Sequence, residues 1–336
     1  MAERGLLLVN LGSPDAPEAK SVARYLREFL NDPYVIDLKT PWRQMLVHLV
    51  IAPFRAKKSA HAYRQVWRDE GSPLIHFSRE FADKAGERLK DRFAVRWAMR
   101  YGRPSIKDVL KDWDIDELVL VPMYPQYAES SSRTAIEAVK SALDPKIELK
   151  VIEDFFADPE FIRAETTVIQ RELDRVKPDL LLLSFHGLPE HHLTKLHPAH
   201  CLKRANCCDE ITDRNRYCYR AQCFATMRSL KQNLIFAPEK ISISFQSRLG
   251  RRPWIKPYTD FEISKSAANG VRKLAVACPS FVADCLETLE EVEMRLSEQF
   301  IKEGGESLTL IPSLNAEPEW VTQFSSMVLR RVESEK

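Results

Sequence analysis

The sequence predicts an α/β protein built from two doubly wound halves, each a mostly parallel sheet flanked by helices. Three observations carry this reading. Short apolar runs such as Leu6–Asn10, Glu117–Val121 and Leu180–Ser184 are continuous rather than alternating, as in strands covered on both faces. Between such runs lie stretches with apolar residues at helical spacing. The strand–helix alternation then runs twice, with a break near residue 157. A chain of 336 residues is long enough for two ordinary domains. Its 44% apolar and 29% charged residues describe a globular chain with a real core.

The first half, 1–157, opens on the strand Leu6–Asn10 and the loop Leu11–Pro17. Val22, Tyr25, Leu26, Phe29 and Leu30 give Glu18–Leu30 a helical stripe, which Asn31-Asp-Pro33 ends. The loop carries a glycine but not G-x-G-x-x-G, so a dinucleotide is not indicated. From Pro41 to Lys58 the residues Trp42, Met45, Leu46, Val47, Leu49, Val50, Ile51 and Phe54 crowd together, with Arg43, Arg55, Lys57 and Lys58 at the edges. This is either an ordinary core helix or an amphipathic helix with basic flanks, able to form a lip on a pocket or to touch a membrane. Helix resumes to Trp67, Gly71-Ser-Pro73 breaks it, and Pro73–Arg92 is the next helix. Ala94–Tyr101 alternates as a strand, Ile106–Trp113 is helical, and Glu117–Val121 is a buried strand. Ser130–Ser132 then caps a helix through Leu143, and Lys146–Asp154 alternates as a strand.

The second half, 158–316, starts with Asp158-Pro159 and a long helix to Val176. Its strands are Leu180–Ser184, Lys240–Phe245, Lys273–Ala277 and Leu308–Ile311. Its later helices are Asp260–Asn269 and Phe281–Phe300, and a closing helix, Pro318–Val332, lies within 317–336. A cleft between two such halves is the natural place for a ligand.

Ligands of open α/β sheets bind just past the carboxyl ends of the strands. Leu180–Ser184 runs straight into Phe185, His186 and Gly187, so His186 stands at a sheet rim, before a glycine that permits a sharp turn and a stiffening Pro189. A histidine there exchanges protons near neutral pH or merely caps the strand. The loop after Phe245 combines Trp254 with Arg248, Arg251 and Arg252, which suits a large planar anion. After Ala277, Asp284, Glu287 and Glu291 fall three and four apart, on one helix face. Like charges so placed repel unless a proton or cation sits among them; the alternative is a solvated acidic face.

A formal net charge of +2 gives no argument for nucleic acid. No apolar run approaches the roughly 18 residues of a membrane helix, and the N-terminal run is too short for a signal peptide. The expected location is the cytoplasm, where cysteines are thiols or metal ligands rather than disulfides. Five of the seven fall within 201–223: Cys201, Cys207, Cys208, Cys218 and Cys223. So many thiols in so short a segment point to a metal. The paired C-x2-C knuckles of a structural zinc site are lacking, whereas four thiolates suit a [2Fe–2S] cluster. Arg204, Arg214, Arg216 and Arg220 would offset part of the thiolate charge.

From Leu6 to about Val332 the chain resembles the ferrochelatases, enzymes that insert Fe2+ into protoporphyrin IX. The resemblance lies in Val9–Gly12, Tyr124–Tyr127, Ser184–Pro189, Ser244–Gly250 with Pro253-Trp254, and Phe281–Glu290, all in the family's order. It implies two Rossmann-like lobes of the chelatase fold with the porphyrin in the cleft between them. It makes His186 the catalytic histidine, which accepts pyrrole protons or binds the metal, and Glu287 the essential carboxylate. Asp284 and Glu291 become a route for protons or iron. Leu11, Arg100, Tyr101, Tyr124, Ser130, Trp254 and Phe281 become pocket positions. The helix at 41–58 becomes the lip, with peripheral contact to the inner membrane as a further expectation. Some family members carry a [2Fe–2S] cluster in varied positions, which favours cluster over zinc here, held by four of the five cysteines. Two departures stand out: Cys285, where some relatives have histidine, and Leu196–His200 with the cysteine-rich insertion (about 197–223) in place of a Gly-Asp-x-Tyr-like turn. The rival readings are a chelatase for coproporphyrin III or cobalt, and a non-catalytic porphyrin or iron sensor.

Overall fold

The computed structural model describes residues 4–198, 201–204, 206–250 and 252–333. These form two compact units, one drawn from Met1–Tyr124, Ala128–Asp154 and Ala316–Lys336, the other from Pro125–Tyr127 and Phe155–Asn315.

In the first unit, β1 (Arg4–Ser13), β2 (Ala94–Gly102), β3 (Glu117–Pro122) and β4 (Glu148–Val151) form a parallel sheet in the order β2-β1-β3-β4. The uninterrupted apolar runs occupy its middle: Leu6, Leu7, Val9 and Leu118–Val121 are sealed from solvent on both faces. Leu7, Val9, Leu118 and Leu120 pack on Ala135, Ile136 and Val139 of the helix Thr134–Ala142. Each such side chain contributes roughly 1.5–3 kcal/mol by leaving water. The strand β1 continues past its apolar run because Gly12 has φ +113° and lies against β2. A Cβ there would stand 1.8 Å from the Tyr101 carbonyl oxygen, so no other residue fits. The helix Pro318–Glu333 closes this unit, stacking Trp320 on Phe81 (5.6 Å) and setting Phe324 edge-on to it (5.1 Å).

Two helices of this unit depart from expectation. The segment after Thr40–Met45 widens to i→i+5 winding over Leu46–Ile51 before Ala52–Val66 resumes as α-helix. The wide turn ends two residues short of Pro53, whose ring nitrogen cannot donate to the preceding turn. Val47 is sealed inward, while Trp42, Leu49 and Phe54 are 65%, 66% and 79% exposed, so the helix is no ordinary core helix. Of its basic flank, Arg43 is buried and donates to the Leu38 carbonyl (2.7 Å), leaving Lys57 and Lys58 outward. Ser130–Ser132 do not cap a helix: Ala128 is the N-cap, and the serines lie inside a wide turn, Glu129–Arg133, that precedes Thr134–Ala142.

The second unit repeats the topology with β5 (Leu180–His186), β6 (Ile241–Gln246), β7 (Lys273–Ala277) and β8 (Ser307–Leu310) in the order β6-β5-β7-β8. Leu182, Leu274 and Val276 pack on Ile263, Val292, Leu296 and Phe300. Asp158 caps the helix Pro159–Val176 through the Glu160 N–H (3.3 Å). The helix expected from Phe281 is wound i→i+5 from Glu287 to Leu296 and becomes an α-helix only at Ser297–Lys302. Short helix Glu190–Leu196 precedes the cysteine-rich segment and Tyr219–Asn233 follows it. Among the described residues, no helix is long and apolar enough to cross a membrane.

Candidate active site

The strand β5 outruns its apolar stretch by two residues, so His186 is its last member, paired with Gln246 of β6. Both main-chain groups of His186 are held by side chains. Its N–H donates to Ser280 Oγ (3.0 Å) and its carbonyl accepts from the Tyr219 hydroxyl (2.8 Å). The imidazole is half-buried and meets the Phe281 ring edge-on at 6.0 Å. Burial pulls its pKa below the ordinary imidazole value; the Glu287 carboxylate and a hydrogen bond to the Gly187 backbone pull partly the other way. The ring is thereby biased towards its neutral, proton-accepting form.

Gly187 does not serve a sharp turn. A Cβ on it would lie 2.6 Å from the Gln246 carbonyl oxygen and 3.2 Å from Cε3 of Trp254. The glycine lets β5 close against β6 and the indole. Pro189 bridges to Trp254, and the indole Nε1 donates to the Leu249 carbonyl (2.8 Å), which fixes the ring beside the histidine strand. Of the three arginines in this loop, Arg248 is committed to Asp260 (2.5 Å) and lies over the Tyr258 and Phe261 rings. Arg252 is exposed, 3.2 Å from His191 Nε2, and Arg251 lies outside the described residues.

The acidic line is broken at its first member. Asp284 precedes the helix, is buried, and accepts from Thr288 Oγ1 (3.0 Å), the Ser313 N–H (3.2 Å) and Asn315 Nδ2 (2.8 Å). It is a clamp between two loops, not a helix-face neighbour of Glu287. Glu287 and Glu291 do lie one wide turn apart on the π-wound segment. The backbone at Glu287 is pinned from the sheet, since Gln246 Nε2 donates to its carbonyl (2.9 Å). Glu291 accepts from the Ser247 N–H (3.0 Å) and hydroxyl (2.5 Å), and burial pushes its pKa up. Cys285 is buried, which raises its thiol far above the usual range, and it hydrogen-bonds Glu287. A thiol so held stays protonated and supports the carboxylate.

The five cysteines of the insertion are all buried and free. Four form two pairs: Cys201 and Cys218 with sulfurs 3.9 Å apart, Cys207 and Cys208 at 3.7 Å. A hydrogen bond joins Cys208 to Cys218 across the pairs, and Arg220 Nη1 reaches Cys208 Sγ at 3.1 Å. The bond from Cys218 lowers the pKa of Cys201. Cys223 stands apart on the helix Tyr219–Asn233, its thiol bonded to Tyr219. Among the described residues no three or more His, Cys, Asp or Glu side chains close on one point as a metal-ion site.

The remaining sequence-picked residues lie in the first unit. Arg100 at the end of β2 donates to Asp32 Oδ2 (2.6 Å) and to Thr134 Oγ1 (2.8 Å). Tyr101 is fully buried, its hydroxyl also on Asp32 (2.8 Å), and burial raises its pKa. The Tyr124 hydroxyl is enclosed with no hydrogen-bond partner among the described residues, and burial raises its pKa. Leu11 and Ser130 are half-buried, on β1 and in the wide turn before Thr134.

Sequence reasoning passed over Gln246, Ser280, Tyr219 and Glu165. The first two stand within or beside quoted motifs, but a main-chain hydrogen bond has no signature in sequence. Glu165 did: it lies three or four residues from Phe161, Ile162, Val168 and Ile169, on the buried face of Pro159–Val176. Burial pushes its pKa up to about 8.

Two four-stranded parallel sheets of one strand order, with a histidine and a carboxylate at the carboxyl end of the second, define a chelatase-type α/β protein. SirB from Bacillus subtilis, solved with Fe3+, has the same fold, with a TM-score of 0.51 at 12% identity over 98% of this chain and 95% of that chain. The sirohydrochlorin chelatase SirB from Bacillus subtilis subspecies spizizenii, solved with cobalt, is equally similar (TM-score 0.51, 11% identity, 98% and 96% covered). The family model for ferrochelatase matches residues 3–332. The ferrochelatase of Coxiella burnetii (strain Dugway 5J108-111) is 45% identical over 334 residues, 98% of this chain and 94% of the relative. That of Pseudomonas putida (strain KT2440) is 44% identical over 344 residues, with 97% and 99% covered. The chain belongs to the ferrochelatase family and is an enzyme of that family.

Proposed function

We propose that this enzyme inserts Fe2+ into protoporphyrin IX, with His186 and Glu287 as its reacting groups. Metallation exchanges two pyrrole N–H protons for a dication, so bases must face the macrocycle. The observation that carries the reading is the pairing at the end of β5: a histidine biased neutral by burial, with Glu287 as its electrostatic partner. His186 takes one proton. Glu287 takes the other and passes it along the wide turn to Glu291, whose raised pKa lets it hold a proton before solvent receives it. Asp284, with both oxygens engaged, anchors the segment and stays out of this route. Binding the ring bent, so that its nitrogen lone pairs face the metal, draws on contacts elsewhere on the macrocycle. Trp254 and Phe281, which lie beside the end of β5, would supply such contacts. His186→Ala and Glu287→Ala each lower anaerobic haem formation at least a hundredfold while circular dichroism stays native. Near-normal turnover in either variant sinks the assignment. Product analysis with coproporphyrin III and with Co2+ gives slower turnover than protoporphyrin IX with Fe2+.

For the insertion we propose a [2Fe–2S] cluster on Cys201, Cys207, Cys208 and Cys218. Two sulfur pairs at 3.9 and 3.7 Å support this, since each iron of such a cluster takes two protein ligands. Arg220 would offset thiolate charge at Cys208, and Cys223, turned to Tyr219, is the thiol left over. Such a cluster supplies one-electron chemistry at a potential tuned by hydrogen bonds to its sulfurs. Absorption between roughly 320 and 550 nm with iron and sulfide near two per chain supports it; zinc without sulfide overturns it.

The exposed stripe Trp42, Met45, Leu49, Val50 and Phe54 supports peripheral contact of a cytoplasmic enzyme with the inner membrane. Co-sedimentation with anionic vesicles, reduced by Trp42→Ser with Phe54→Ser, is the expected result.

A further inference from the structure

The first turn of the helix Tyr219–Asn233 touches two places at once. Cys218, its N-cap, belongs to one sulfur pair, and Arg220 reaches the other through Cys208. Between them, Tyr219 turns the opposite way. Its hydroxyl donates to the His186 carbonyl at 2.8 Å, and its side chain also bonds Ser280, the residue that accepts the His186 N–H. The Cys223 thiol, one turn on, shares the same hydroxyl. The phenol is buried, so no water competes for these bonds.

We infer that Tyr219 is a positioning residue for His186 and the joint through which the arrangement of the cysteine-rich segment reaches the reacting histidine. The physical requirement is short. The imidazole must meet a pyrrole nitrogen at hydrogen-bond range, and a shift of its main chain by a fraction of an ångström misplaces it. At His186 the strand is paired on one side only, to Gln246 of β6, because its pairing with β7 ends at Leu183. Here two side chains, Ser280 and Tyr219, supply the missing restraint, and one of them is bonded on each side to cysteine-segment residues. Loosening the sulfur pairs moves the helix turn, and with it the phenol. The inference rests on His186 as proton acceptor; it does not require that the segment hold iron.

The test is a double-mutant cycle of Tyr219→Phe and Cys201→Ser, read on purified full-length protein. Turnover with Fe2+ and protoporphyrin IX is one readout. The 15N resonances of the His186 ring, assigned by their loss in His186→Ala, are the other, and they need neither substrate nor a loaded cysteine segment. Tyr219→Phe is expected to lower kcat about tenfold with porphyrin KM unchanged and to shift the His186 resonances. Cys201→Ser is expected to shift them in the wild-type background and to add nothing once Tyr219 is Phe. Ser280→Ala, which loosens the other main-chain group, gives the same kcat-against-KM split if Tyr219→Phe folds poorly. Wild-type kcat and unmoved resonances in a folded Tyr219→Phe, or full additivity with Cys201→Ser, overturn the joint. Retained turnover in His186→Ala overturns instead the assignment of the histidine, so the two failures are distinguishable.

Discussion

The carboxyl ends of the two sheets share a strand order and differ in chemistry. At the first, the charged groups are closed on one another: Asp32 accepts from Arg100, Tyr101 and Thr134, and its second oxygen takes the Tyr34 N–H (2.8 Å). At the second, the main chain is what is tied down, by Ser280, Tyr219 and Gln246, while the side chains of His186 and Glu287 stay half-buried and sense each other electrostatically. One end spends its polar groups on rigidity and presents a fixed cationic head, Arg100. The other spends neighbouring side chains on holding backbone and so keeps titratable groups available. Topology alone does not decide where chemistry goes; the partners of each side chain do.

The contrast can be broken most forcefully at Asp32. Asp32→Asn leaves the Arg100 guanidinium without its buried counter-charge and is expected to cost about 3 kcal/mol, read as a lower urea midpoint. An unchanged midpoint would mean that the network is ornamental. Glu165 sharpens the other side. Its folded pKa of about 8 lies above its unfolded value near 4.5, so the stability that this group contributes is complete below about 4.5 and is lost as pH rises through 8. Glu165→Gln should flatten the fall in stability between pH 5 and pH 9; parallel curves for the two proteins would rule this out. Gly187→Ala forces β5 and β6 apart at the Gln246 carbonyl and should cost about 1–3 kcal/mol, with a shifted Trp254 fluorescence maximum. Smallest is a titration. Glu287→Gln removes the carboxylate that raises the His186 pKa, so the imidazole should titrate at lower pH than in wild type. A midpoint that stays put, or rises, would show that the two groups do not sense each other.

Much of this was legible in the residues because burial on both faces leaves continuous apolar runs. Leu6–Asn10, Glu117–Val121 and Leu180–Ser184 each lie within a strand, and His186 stands at a sheet rim. What failed to show were features set by winding and close approach. Spacings of three and four suggest one face only on an α-helix; here the helix starts at Glu287 and winds wider, so Asp284 falls off it. Gly187 announced a turn but answers to the carbonyl and indole packed against it, which are distant in sequence. Arg43 looked like a surface charge because its stem and its acceptor, the Leu38 carbonyl, are invisible in composition. The sulfur pairs, Cys201 with Cys218 and Cys207 with Cys208, depend on a fold of the insertion that no spacing rule specifies.

The strand β5 is hydrogen-bonded on both sides, to β6 and to β7, and Leu181, Leu182 and Leu183 are wholly sealed. Amide protons in that stretch should therefore exchange with solvent only when the whole unit opens. His186 is carried at the tip of this doubly paired segment, three residues beyond Leu183, where Ser280 and Tyr219 hold its main chain. When a stiff macrocycle meets so immobile a partner, compliance has to come from the macrocycle, and the strain of insertion falls on the ring rather than on the strand beneath it.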